Sequence, residues 1–122
     1  MKILMVEDDE SNRLLTYLEL SEEKYWDIIS VSNGKDAMLL FEKEQPDIVT
    51  LDIKLPDING SKLLKEMKKK RPDVPIIILT GYDNHPDVSE ADAYIVKTLS
   101  CGEELKKSIK NLLPGSHFLL DK

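Results

Sequence analysis

Apolar runs of four or five residues recur along the chain, each stopped by a polar or charged residue, with amphipathic stretches between them. The run through residues 2–6 is apolar, contains β-branched side chains and halts at Glu7, Asp8 and Asp9, the pattern of a strand buried on both faces. Over 10–21, Leu14 and Leu18 recur at i, i+4, which predicts a helix with those two leucines turned toward a sheet and Leu15 left outside, beside Asn12. Residues 27–32 predict a second strand, Asn33 and Gly34 a turn, and 36–43 a helix inward through Ala37, Leu40 and Phe41, closed by Pro46. Residues 48–51 predict a third strand ending at Asp52, 56–60 a loop, and 62–70 a helix with Leu63, Leu64 and Met67 inward. After Pro72 and Pro75, residues 76–79 form the most apolar strand and end at Thr80; 93–96 form a fifth that ends at Lys97, and 102–113 a closing helix.

Strands alternating with helices at this spacing imply right-handed crossovers and a parallel sheet. The expected class is doubly wound α/β, five strands with helices on both faces. Residues 81–92, twelve positions including Pro86, are near the minimum for a crossover, so the helix between the fourth and fifth strands is expected to be short, distorted or absent. Ligands in such sheets bind beyond the carboxyl ends of the strands, which makes the stop residues the ones to examine.

At 122 residues the chain has room for one domain, placed at 1–113, with 114–122 as a C-terminal tail. The longest apolar run, Ala37 to Phe41, is five residues, far below the ~20 that span a bilayer, and the first run leads directly into acids; no membrane association and a cytoplasmic location are expected. With 23 acids against 17 bases the net charge is −6, the wrong sign for a nucleic-acid surface. The basic run 68–71 falls at a helix end, where cations suit the dipole. A single Cys101 excludes an internal disulfide, and His85 and His117 have no ligand-like company.

Glu7 and Asp8 follow the first strand, Asp52 the third, Thr80 the fourth and Lys97 the fifth, all at one edge of the expected sheet. Three carboxylates in one crevice repel unless a cation lies among them. Oxygen donors without nearby Cys or His suit Mg²⁺ with Mn²⁺ as a substitute, and Mg²⁺ with Lys97 balances the three acids. A carboxylate beside a divalent cation and an ammonium group, facing a hydroxyl, has the parts for nucleophilic attack on phosphorus. Asp52 would then carry an acyl phosphate.

These residues sit in KILMVEDD, PDIVTLDIKLPDINGSKLL, PIIILTG and AYIVK, and with them the sequence from Lys2 to Leu113 resembles a receiver domain of bacterial two-component response regulators. The resemblance implies a flavodoxin-like fold and a phosphoacceptor in a His-to-Asp pathway or phosphorelay. It implies Asp52 as acceptor, Glu7, Asp8 and Asp52 as metal carboxylates, the Lys54 backbone carbonyl as a further metal ligand, Thr80 as switch, Lys97 as phosphoryl partner and Tyr94 as rotating aromatic. The expected partner is a sensor histidine kinase or phosphotransfer protein, with Asn12, Leu15 and Leu99 as docking positions and the receiver a stand-alone monomer. Thr98 follows Lys97 where the family usually carries a cis proline, which leaves that isomer open. Lys54 and Tyr82, two positions beyond Asp52 and Thr80, overhang the site and predict slow self-dephosphorylation.

Two other functions fit parts of the pattern. A receiver-like scaffold that is never phosphorylated would not need all five strand-end residues. An aspartyl-phosphate phosphatase of the haloacid-dehalogenase type would carry a second Asp two positions after its nucleophile, where this chain has Lys54. Dinucleotide and P-loop binding lack their glycine fingerprints.

Overall fold

The computed structural model describes residues 1–81, 89–97 and 101–113. Along the chain run β1 (Lys2–Val6), α1 (Glu10–Leu20), β2 (Asp27–Val31), α2 (Gly34–Glu44), β3 (Ile48–Asp52), α3 (Gly60–Lys70), β4 (Ile76–Thr80), β5 (Ala93–Val96) and α4 (Cys101–Leu112). The strands form one parallel sheet in the order β2-β1-β3-β4-β5. The chain therefore winds to one side of β1 and then to the other, and the switch point lies between the carboxyl ends of β1 and β3.

Alternation along the strands feeds two cores. Leu4, Val6, Val49, Leu51, Ile76 and Ile78 face Ala37 and Phe41 of α2 and Leu63, Leu64 and Met67 of α3. Ile3, Met5, Ile48, Ile77, Leu79 and Ile95 face Leu20 of α1, Trp26, and Leu105 and Ile109 of α4. β3 and β4 are buried at every position, which is why they read as continuous apolar runs.

Asparagine caps set two helix starts. The Asn33 side chain accepts from the Asp36 N–H and the Asn59 side chain from the Ser61 N–H, so α2 and α3 begin at glycines two residues earlier than the apolar stripes predict. At its other end α2 stops with Gln45 in the left-handed conformation, φ 49°, just before Pro46.

One expectation is overturned. Leu14 and Leu18 do not face the sheet; they are 57% and 54% exposed, alongside Leu15 at 59%. The inward side of α1 is instead the stripe Arg13, Thr16 and Leu20, of which Leu20 alone is fully buried. Arg13 lies on this side, where its guanidinium donates to the Glu7 carbonyl at 3.4 Å. Along its carboxyl half α1 lies beside α4, where Lys110 pairs with Glu23 at 3.0 Å in the turn after α1. The expectations for the helix between β4 and β5, for the Lys97–Thr98 bond and for the tail 114–122 fall on 82–88, 98–100 and 114–122, outside the described residues. Among the described residues no helix is long and apolar enough to cross a membrane.

Candidate phosphoacceptor site

The carboxyl edge of the sheet gathers the charged stop residues. One carboxylate oxygen each from Glu7, Asp8 and Asp52 lies within 4.8 Å of the others. Glu7 and Asp52 are buried, 5% and 6% exposed, and Asp8 is open to solvent. Lys97, arriving from the end of β5, places its Nζ 2.8 Å from Asp52 Oδ2 and also pairs with Glu7 Oε1. The backbone N–H of Lys97 donates to the Thr80 carbonyl, so the β4–β5 pairing continues one step past the strands and carries the lysine to the acids. Thr80 itself is 1% exposed at the end of β4.

The acids are held by backbone as well. The Glu7 N–H donates to the Val31 carbonyl at 3.1 Å, extending the β1–β2 ladder, while Glu7 Oε2 accepts from the Asp9 N–H at 3.1 Å. Asp9 in turn caps α1 through the Asn12 N–H at 2.8 Å. Asp52 Oδ1 accepts from the Lys54 N–H at 3.2 Å.

Electrostatics fit the donor set. Burial, then the hydrogen bond and charge of Asp52, push Glu7 from 4.5 up to about 7, with Lys97 offsetting only part of the rise. Burial opposes the charge on Lys97, but the Asp52 and Glu7 carboxylates outweigh it and raise the ammonium above its ordinary value. When all are ionised, three carboxylates and one ammonium leave two negative charges, the amount a divalent cation cancels. The all-oxygen cluster is consistent with a hard divalent metal site.

Of the other sequence candidates, Tyr94 lies on β5 opposite Ile78, half-buried against the core shared with α2 and α3. Lys54 is exposed at the start of the loop after Asp52. Asn12 and Leu15 are exposed on α1. Leu99 and Tyr82 fall outside the described residues. The sequence pattern did not single out Asp57, whose side chain accepts from the Gly34 N–H at 2.8 Å and the Lys35 N–H at 2.9 Å, 23 and 22 positions away. Its setting, Pro-Asp in a polar loop, marks a turn and carries no signal for so distant a partner.

A parallel sheet with two carboxylates at its switch point, a third beside them and a lysine reaching across is an α/β domain with an acidic, cation-compatible site beyond its strand ends. The family model for the response regulator receiver domain matches residues 3–110, and the chain belongs to that family. It is 38% identical over 120 residues to a probable transcriptional regulator, ycf27, of Porphyridium aerugineum, covering 92% of this chain and 48% of that protein. It is 33% identical over 121 residues to the alkaline phosphatase synthesis regulatory protein PhoP of Bacillus subtilis, covering 94% of this chain and 49% of that protein. The chain thus spans about half the length of the curated relatives it matches. Among solved structures it is similar to the response regulator TrrA of Thermotoga maritima in complex with Mg²⁺ and BeF, at a TM-score of 0.84 and 37% identity, covering 91% of this chain and 97% of that one. TrrA bound to the histidine kinase ThkA matches at the same score and identity, covering 92% and 97%.

Proposed function

We propose that Asp52 accepts a phosphoryl group from the phosphohistidine of a sensor histidine kinase or phosphotransfer protein, and that the acyl phosphate changes which proteins the domain binds. The observation that carries this reading is the three carboxylate oxygens within 4.8 Å, with Lys97 Nζ 2.8 Å from the acceptor carboxylate.

In the transfer, an Asp52 oxygen attacks phosphorus in line, the O–P bond forms as the P–N bond breaks, and the electron pair returns to the imidazole. Glu7, Asp8, Asp52 and the Lys54 carbonyl would hold Mg²⁺, or Mn²⁺ in its place, which when bound neutralises oxygens of the transferring group. Lys97 is already poised at Asp52 and screens the charge that the acyl phosphate adds. Burial of Glu7 and Asp52 lowers the local dielectric, which strengthens each of these contacts.

The switch follows from packing. The Thr80 hydroxyl would turn to a phosphoryl oxygen, and Tyr94 would complete its burial in the core it already touches. Driving a two-state equilibrium from 1% to 99% takes about 5.5 kcal/mol, more than one charge-assisted hydrogen bond at about 1.5–3 kcal/mol supplies, so the aromatic and the lysine must both contribute.

The exposed leucines of α1 are the kinase-facing surface in this reading. Leu14, Leu15 and Leu18 form an apolar strip that begins one turn from Asn12 and runs down the helix rooted at the acidic pair, the form an incoming helix would pack against. The net charge of −6 is the wrong sign for a nucleic-acid surface in this domain, and the reading takes the domain as a cytoplasmic monomer. Incubation with Mg²⁺ and acetyl phosphate tests the central claim: the wild-type mass should rise by one phosphoryl group and Asp52→Asn should stay unlabelled. Labelling that survives Asp52→Asn would remove that residue from its role.

A further inference from the structure

The loop between β3 and α3, residues 53–59, is anchored at both ends and once at its tip. At its base the Gly60 N–H donates to the Ile53 carbonyl at 2.8 Å, and Lys54 and Asn59 form an antiparallel bridge. Gly60 permits this closeness, since a Cβ there would lie 2.4 Å from the Asp52 carbonyl oxygen. At its tip the two Asp57 oxygens take up the N–H groups of Gly34 and Lys35, the first two residues of α2. The next N–H groups are served by Asn33, whose side chain accepts from Asp36 and whose carbonyl accepts from Ala37. The start of α2 is thus capped jointly by its own Asn33 and by a carboxylate from the loop that follows the acceptor.

Two further observations show that the seating is built. Ile58 occupies the space beside Gly34, where a Cβ would lie 2.1 Å from Ile58 Cγ2, so any larger residue there would force Ile58 out of its seat. Leu55 and Ile58 both pack against the core shared by α2 and α3. The Gly34 and Lys35 N–H groups hold the Asp57 carboxyl below its ordinary value even though it is exposed, as expected of a charge aligned with the helix dipole.

We propose that Asp57 is a positioning residue for the metal site: by strapping the 53–59 loop to the first turn of α2 it fixes the Lys54 backbone, and so the carbonyl through which this loop reaches the divalent cation. The inference rests on the metal role given to Lys54 under Proposed function. Asp57 touches neither substrate nor cation; it acts through the loop. The metal-binding loop and α2 thereby become one mechanical unit, so loading the site also registers at the start of α2.

The test is a Mg²⁺ titration of the full chain followed by amide NMR shifts and calorimetry, for wild type, Asp57→Ala, Asp57→Asn and, as a reference, Asp52→Asn. Asp57→Ala is expected to weaken Mg²⁺ binding roughly ten-fold and to speed hydrogen exchange at the Gly34 and Lys35 amides. Asp57→Asn keeps one carbonyl acceptor and should fall between the two. A purely structural role would lower the melting temperature without moving the dissociation constant of the folded protein. Mg²⁺ affinity of Asp57→Ala within about two-fold of wild type overturns the proposal, and if that variant does not fold, the same criterion applies to Asp57→Asn. Wild type without saturable Mg²⁺ binding overturns the functional reading and this proposal together, whereas wild-type binding undisturbed by either variant overturns this proposal alone.

Discussion

α1 and α3 are both eleven residues long and both follow a strand that ends at the site, yet they spend their apolar residues in opposite ways. α3 turns Leu63, Leu64 and Met67 into the core and shows lysines to water. α1 buries Leu20 alone at its far end and carries Leu14, Leu15, Tyr17 and Leu18 on its outer side. Exposing three leucines on a short helix gains nothing for folding, because the favourable term comes from apolar area removed from water. α3 is therefore a stability element, whereas the outer leucines of α1 add little burial to the fold and are the surface that the docking proposal uses.

The contrast can be broken at several points. The largest effect is expected in α3: Leu64→Ala deletes a fully buried side chain and should cost about 2–5 kcal/mol, measured by urea unfolding. A much smaller loss would mean that α3 is loosely seated and the contrast false.

Glu7, from whose end α1 springs, should next show a pH signature. Its carboxyl titrates near 7 in the folded chain and at 4.5 otherwise, so between those values the folded chain binds more protons than the unfolded one. Without divalent cation, stability should fall as pH rises from about 4.5 through about 7 and then level off. Glu7→Gln should flatten that slope in unfolding curves recorded in chelator at about pH 5 and about pH 8. A slope unchanged in the variant would place the titrating group elsewhere.

On α1, Leu15→Asp and Leu18→Asp should leave stability within about 0.5 kcal/mol. Transfer from a cognate kinase should nevertheless drop about ten-fold or more, the loss of a contact worth at least ~1 kcal/mol, while labelling by acetyl phosphate is unchanged. Equal loss from both donors would reject the docking role and make α1 a second stability element. The smallest effect belongs to the outer face of α3: Lys70→Ala removes an exposed pair with Glu42 and should leave the melting temperature unmoved at moderate salt.

Much of this architecture is legible in the sequence because buried parallel strands announce their ends. Val6, Leu51, Leu79 and Val96 are each followed by the polar residue that the sheet delivers to the site, so four strand ends suffice to assemble Glu7, Asp52, Thr80 and Lys97 on paper. The phase of α1 is not legible. Its i, i+4 leucines form the more apolar stripe, and only the folded structure, with Leu20 buried and Arg13 bonded to the Glu7 carbonyl, shows that this stripe faces outward. Nor is the Asp57 cap legible, since its partners lie on another helix and a local pattern holds no record of them.

The pairing of Lys97 with Glu7 joins positions ninety residues apart. Along the chain, the acids at the ends of β1 and β3 come long before the lysine that pairs with them. The cation that offsets Glu7 and Asp52 reaches them only once β5 has paired with β4, so the partial charge balance at this edge is a property of the assembled sheet rather than of any one segment.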